Sequence, residues 1–187
     1  MNNHNTPPAH PFTAFDWALF ALTFLGLALL KWHYQQATVD DVLFLLTPVV
    51  HWLSWSSGDG FAYVPSVGFV NASMSVIIDK GCSGLNFWVI ATALGVFTVI
   101  PASPSLRLKL MTLVALWALA WGVTLVANFA RISIALWLHQ HAAQLSLTAP
   151  TWLHEAIGVA SYLIFLMIYH TLLVKYNERY RLSRAPL

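Results

Sequence analysis

Long apolar stretches separated by short polar borders dominate the chain, and stretches of this length predict helices that cross a membrane. The first runs over about 15–30, is rich in Leu, Phe and Ala, and meets a basic and aromatic border at Lys31, Trp32, His33 and Tyr34. A second, over about 41–55, follows Asp40 and Asp41 and is short and broken by Pro48. Three more cover about 83–100, ending at Pro101, then 110–138 and 153–174. Between the second and third, Gly58, Gly60, Pro65 and Gly68 punctuate two β-branched runs, Val67 to Val70 and Met74 to Ile78. That pattern predicts a small β-hairpin outside the bilayer. The expected fold is an all-α polytopic membrane protein of about five transmembrane helices, one domain over 1–187, with a loop at His139 to Trp152 and a basic C-terminal tail at 175–187. The first 13 residues hold Pro7, Pro8 and Pro11 but no Lys or Arg, so they lack the basic start of a signal peptide and the first apolar segment is read as retained.

Composition strengthens this picture and narrows the partners. With 58% hydrophobic and 9% charged residues the chain has too little polar surface for a soluble domain. The lipid bilayer is its expected surrounding, and the net charge of +2 is expected to encode topology rather than affinity for nucleic acid. Five spans with the N-terminus outside and the C-terminus inside would put Lys31, Arg107, Lys109, Lys175, Arg179, Arg181 and Arg184 on the cytoplasmic side of the inner membrane. Only Lys80 and Arg131 would remain elsewhere.

The chain has one cysteine, which rules out an internal disulfide and leaves a free thiol. No cofactor or metal is expected: His33, His51, His139 and His141 show no metal spacing within one helix, and no Gly-rich phosphate loop is present.

Three isolated polar residues fall at one depth. A helix rises ~1.5 Å per residue across a hydrocarbon core of ~30 Å, so about 20 residues separate the two faces. Pro101 lies 19 positions after Cys82, Arg131 lies 22 after Lys109, and Lys175 lies 21 after His154. Measured from the inner border, Cys82, Arg131 and His154 all reach the outer face. Each has an ordinary reading: a lone cysteine packs as a small hydrophobe, an Arg snorkels or pairs, and an interfacial His is tolerated. Together they form a candidate acyl-transfer site at the extracytoplasmic side. Cys82 would be the nucleophile at a helix start, flanked by Gly81 and Gly84. His154 would be the general base and later acid, and Arg131 would stabilise an oxyanion or the thiolate. An Arg within a span costs about 3 kcal/mol unless it is paired or faces water. Asn128 precedes it by three positions on the same helix face.

The segments Gly81-Cys82-Ser83-Gly84-Leu85-Asn86, Asn128-Phe129-Ala130-Arg131-Ile132 and His154-Glu155-Ala156-Ile157-Gly158 resemble, in order and spacing, those of the exosortase and archaeosortase family. The short length is similar to the exosortase K branch. The resemblance covers roughly Val67 to Val174 and implies a membrane-embedded cysteine transpeptidase or protease. Its substrates would be exported proteins carrying a C-terminal sorting signal made of a short motif, a hydrophobic helix and a basic tail. It maps the nucleophile onto Cys82, the arginine onto Arg131 and the histidine onto His154, with Asn128 in support. Larger members have more spans than this chain has before Cys82, which bears on substrate docking more than on chemistry.

Two other classes fit the same residues. A non-enzymatic membrane scaffold or assembly protein would use Arg131 to pair an acidic residue in a partner helix. A haem or metal redox protein would use histidines on different spans, such as His51 and His154.

Overall fold

A backbone that crosses hydrocarbon must satisfy its own polar groups, so an apolar chain crosses as helix. The computed structural model describes residues 12–71, 76–141 and 151–183, without the side chains at 139, 151–154 and 181. The order is α1 (Ala14–Gln36), α2 (Leu43–Ser57), β1 (Ala62–Val64), β2 (Gly68–Asn71), β3 (Val76–Ile78), α3 (Leu85–Val99), α4 (Leu106–His141) and α5 (Thr151–Leu182). Among the described residues four stretches are long and apolar enough to span, at Ala14–Gln36, Lys80–Ala102, Leu106–Leu138 and Glu155–Tyr180. The protein is therefore a mostly helical membrane protein with four such helices, and the expectation of about five is corrected.

Helix α2 is the difference. Its 15 residues rise about 22 Å, short of the hydrocarbon core. Both its ends return to the same strand. Tyr63 of β1 donates a hydrogen bond to Asp40, just before α2, while Ser57 at the far end is five residues from Ala62. Ahead of α2, the Thr38 backbone N–H and hydroxyl both donate to Asp41, at 2.7 and 2.9 Å, which holds that carboxyl below the usual carboxylate range. Leu45, Leu46 and Val49 are fully buried in a cluster with Leu85, Leu125 and Ile132, with Leu30, Tyr34 and Val89 packed around it. All of these belong to one half of the bundle.

The sheet also exceeds expectation. The predicted hairpin is present as β2 and β3, but β1 pairs antiparallel with β2, giving the order β1-β2-β3. Phe69 and Ile78 turn inward onto α2. Gly68 has φ +121° and lies so close to the Ile78 carbonyl that any Cβ would collide with it. Two further boundaries shift: α4 continues to His141 into the expected loop, and α5 continues through Leu182, so most of the expected tail is helix.

The core of the spans is built on α3, which touches α1, α4 and α5. Polar contacts define its two ends. At one, Lys109 of α4 pairs with Asp16 of α1 at 2.5 Å, their side chains 7% and 2% exposed, and Asn177 of α5 donates to the Thr98 carbonyl at 3.0 Å. Thr13 caps α1 there, in a reciprocal capping box with Asp16. At the other end Lys31 bonds Asn86 and Tyr34 donates to the Lys80 carbonyl at 2.9 Å. The chain therefore enters α1 and finishes α5 at the same end. This corrects the arrangement with termini on opposite faces, and it moves Lys31 to the end that carries Cys82.

Topology reporters fused before Thr13 and after the final residue should report the same side of the membrane, and opposite sides would restore α2 as a span. Asp16→Ala leaves Lys109 buried without its counter-charge and should cost ~3 kcal/mol, read as a lower midpoint of thermal unfolding in detergent. Replacing both partners, Asp16→Leu with Lys109→Met, should recover most of that loss.

Candidate active site

Strand β3 delivers the chain through Asp79 into a tight turn over Lys80–Cys82, in which the Cys82 and Ser83 N–H groups donate back to the Asp79 and Lys80 carbonyls, both at 3.0 Å. Tyr34 of α1 holds the turn: its hydroxyl donates to the Lys80 carbonyl and stands 3.2 Å from the Ser83 hydroxyl. Lys80 reaches back to the Ala37 carbonyl at 2.6 Å. Gly84 then opens α3, its carbonyl accepting from the Phe87 and Trp88 N–H groups at 2.9 and 3.1 Å. Its φ of +73° is one that an L side chain adopts only under strain. A Cβ there would also stand 3.2–3.3 Å from the Thr124 methyl, the Asn128 amide carbon and the Tyr162 hydroxyl. The glycine lets α4 and α5 close onto the start of α3.

Asn128 is the hub of what closes. Its side chain is 1% exposed, and its amide NH2 donates to the Cys82 carbonyl. Its amide oxygen accepts from the Tyr162 hydroxyl at 3.0 Å and from Arg131 Nη1 at 3.5 Å, and the same Nη1 donates to the Tyr162 oxygen at 2.9 Å. The Arg131 guanidinium also lies over the Tyr162 ring, 5.4 Å from its centre. The Tyr162 ring packs against Phe87, with centroids 5.1 Å apart.

Beside this network is a cleft of about 420 Å³, lined by Tyr34, Gly81, Ser83, Gly84, Leu85 and Asn86 from one side and by Arg131, Glu155, Gly158, Val159 and Tyr162 from the other. Cys82 is half-buried in the turn between Gly81 and Ser83 and is not itself among the residues that line the cleft; Asp79 precedes it by three positions. Gly158 faces the arginine: a Cβ on it would stand 3.4 Å from Arg131 Nε.

Of the expected site residues, Cys82, Arg131 and Asn128 are brought together. His154 belongs to the first turn of α5, one turn ahead of Gly158, and its side chain lies outside the described residues. Trp152 and most of the segment between His139 and Trp152 share that status. Sequence reasoning missed Tyr162 and the bracing by Tyr34. The signal for Tyr162 was its place one turn after Gly158 on the same face of α5. Among the described residues no three His, Cys, Asp or Glu side chains form a group able to hold a metal ion, and His51 is exposed on α2.

Fold and site together define a polytopic helical membrane protein whose three expected site segments converge at one end of the bundle. The chain matches no protein-family model, no curated protein and no solved structure.

Gly84→Ala adds a strained φ and three close contacts, so it should lower thermal stability by about 1–2 kcal/mol. It should also change the rate at which Cys82 is alkylated, because the added methyl meets the groups that brace it. An unchanged alkylation rate would mean that the α3 start is not braced this way.

Proposed function

We propose that the protein is a membrane-embedded cysteine transpeptidase or protease acting on exported proteins that carry a C-terminal hydrophobic helix followed by basic residues. The observation that carries this reading is the Asn128 bridge, which joins the one cysteine of the chain to a membrane-embedded arginine beside an open cleft. The resemblance of the three segments to exosortases supports it and supplies the role of His154.

In this mechanism the Cys82 thiolate attacks the scissile carbonyl and its C=O electrons move onto oxygen. Arg131, with guanidinium nitrogens beyond the one bonded to Tyr162, stabilises the oxyanion. Collapse breaks the C–N bond, the leaving amine takes a proton from His154, and a thioester remains on Cys82. An amine or a water, deprotonated by His154, then attacks the thioester carbonyl and releases the thiolate. Arg131 suits this role better than that of an intermolecular anchor for a scaffold, since its Nη1 already has partners within the protein.

Charge distribution supports an orientation. Among the described residues Arg107, Lys109, Lys175, Arg179 and Arg181 belong to segments at the Lys109 end, against Lys31, Lys80 and Arg131 toward the other. Basic residues favour the cytoplasm, so the start of α1 and the end of α5 face inside and the cleft beside the Cys82 turn opens on the extracytoplasmic face of the inner membrane.

The test is replacement of the chain by a Cys82→Ala version in its own cells, with the C-terminal peptides of exported proteins read by mass spectrometry. The variant should insert normally, and proteins ending in a hydrophobic helix and basic tail should keep that tail. Identical processing in both strains would overturn the reading.

A further inference from the structure

The Tyr162 hydroxyl is fully engaged inside the protein. A phenol has one proton to donate, and here it goes to the Asn128 amide oxygen at 3.0 Å, while the phenol oxygen accepts from Arg131 Nη1 at 2.9 Å. With its proton committed, the hydroxyl has none to offer a substrate, although its side chain lines the cleft. What it does supply is orientation. Two donors, the phenol and the guanidinium, converge on the amide oxygen of Asn128. That directs the opposite, NH2 face of the amide at the Cys82 carbonyl. The phenol also joins α5 to α4, and through Asn128 to the turn that carries Cys82.

Resting on the reading of Cys82 as nucleophile, we propose that Tyr162 is the positioning residue of this site: its hydroxyl holds Arg131 and Asn128 in the arrangement that ties the guanidinium, through the Asn128 amide, to the Cys82 turn. Phe87 holds the ring, the missing Cβ of Gly84 gives the hydroxyl access to the helix start, and the missing side chain of Gly158 leaves room for Arg131. Without the hydroxyl, Arg131 Nη1 keeps only the longer 3.5 Å bond to Asn128 and can swing into the cleft. Among the described residues the charged and titratable groups around the site are Asp79 and Lys80 beside Cys82, Lys31 and Tyr34 on α1, Arg131 on α4, and Glu155 with Tyr162 on α5.

Because the chain has a single cysteine, alkylation reports on Cys82 alone. The full-length protein in detergent is treated with iodoacetamide across a pH series and the modified fraction is followed by intact mass. Tyr162→Phe removes one oxygen and keeps the ring. It should slow alkylation near neutral pH by about tenfold, the loss of one hydrogen bond to a charged group, and move the pH profile in the same direction as Arg131→Gln. The double variant should match Arg131→Gln, since the tyrosine acts through the arginine. Tyr176→Phe removes a phenol oxygen from an exposed position of the same helix, away from the cleft, and should leave the profile near that of the unaltered protein. If Tyr162→Phe does not purify folded, Asn128→Ala cuts the same link from the Cys82 side and carries the same expectation. A Tyr162→Phe profile superimposed on the unaltered one, additive shifts in the double variant, or equal shifts in Tyr176→Phe would each overturn the positioning role and leave the cysteine reading standing. A profile that neither Tyr162→Phe nor Arg131→Gln moves would overturn both.

Discussion

The start of α3 depends on one side-chain amide. A chain that leaves a sheet and enters an apolar helix has backbone carbonyls with no helical partner, and at a membrane edge such groups need a protein donor. For Cys82 that donor is Asn128, three residues from Arg131 and so on the same face of α4. An amide has a donor end and an acceptor end, and here each is used: one fixes the cysteine turn, the other gathers Arg131 and Tyr162. An apolar residue at 128 would orphan the Cys82 carbonyl, and a carboxylate would offer it no proton. The geometry also requires that nothing stand between the helices, which is why the residue after Ser83 is glycine at φ +73°.

Length decides the rest of the topology. Helix α2 is apolar enough to cross a membrane but, at 15 residues, not long enough, and the chain uses it as a buttress. Its inward face packs against α4 near Leu125 and Ile132, and Asp40 just ahead of it is bonded by Tyr63 of the sheet. With α2 returning to the side it left, α1 and α5 have their outer chain ends on one face. The salt bridge between Lys109 and Asp16 and the bond from Asn177 to Thr98 then fall at the same end without further contrivance.

The parts legible in the sequence were those governed by fixed geometry. Rise per residue placed Cys82 and Arg131 at a common depth, and the spacing of three placed Asn128 beside the arginine. Lone polar residues in apolar runs are conspicuous because they are costly. Tyr162 was not conspicuous, since a tyrosine in an apolar helix is unremarkable packing until its hydroxyl is seen to have partners. Strand β1 escaped notice because three residues between Gly60 and Pro65 carry no period, and only its register against β2 makes them a strand. The second apolar run fits a span in its composition and borders. Its true role follows from where Tyr63 and Asp40 meet, a contact between positions 23 apart in sequence.

Lys109 and Arg131, both on α4, are held in opposite ways, and the contrast bears on what each is for. Lys109 is buried against a carboxylate, its charge matched by Asp16 and its surroundings closed, an arrangement that joins α1 to α4 and leaves no field to act elsewhere. Arg131 is given an amide oxygen, a phenol and an aromatic face. These satisfy some of its N–H groups and lower the cost of keeping it in place, but they are neutral and do not cancel its charge. A carboxylate at position 162 would have stabilised the arginine more and switched it off. Keeping an arginine beside a cleft with only neutral hydrogen-bond partners among the described residues is costly, and on the proposed function that charge is held for negative charge that arrives during the reaction.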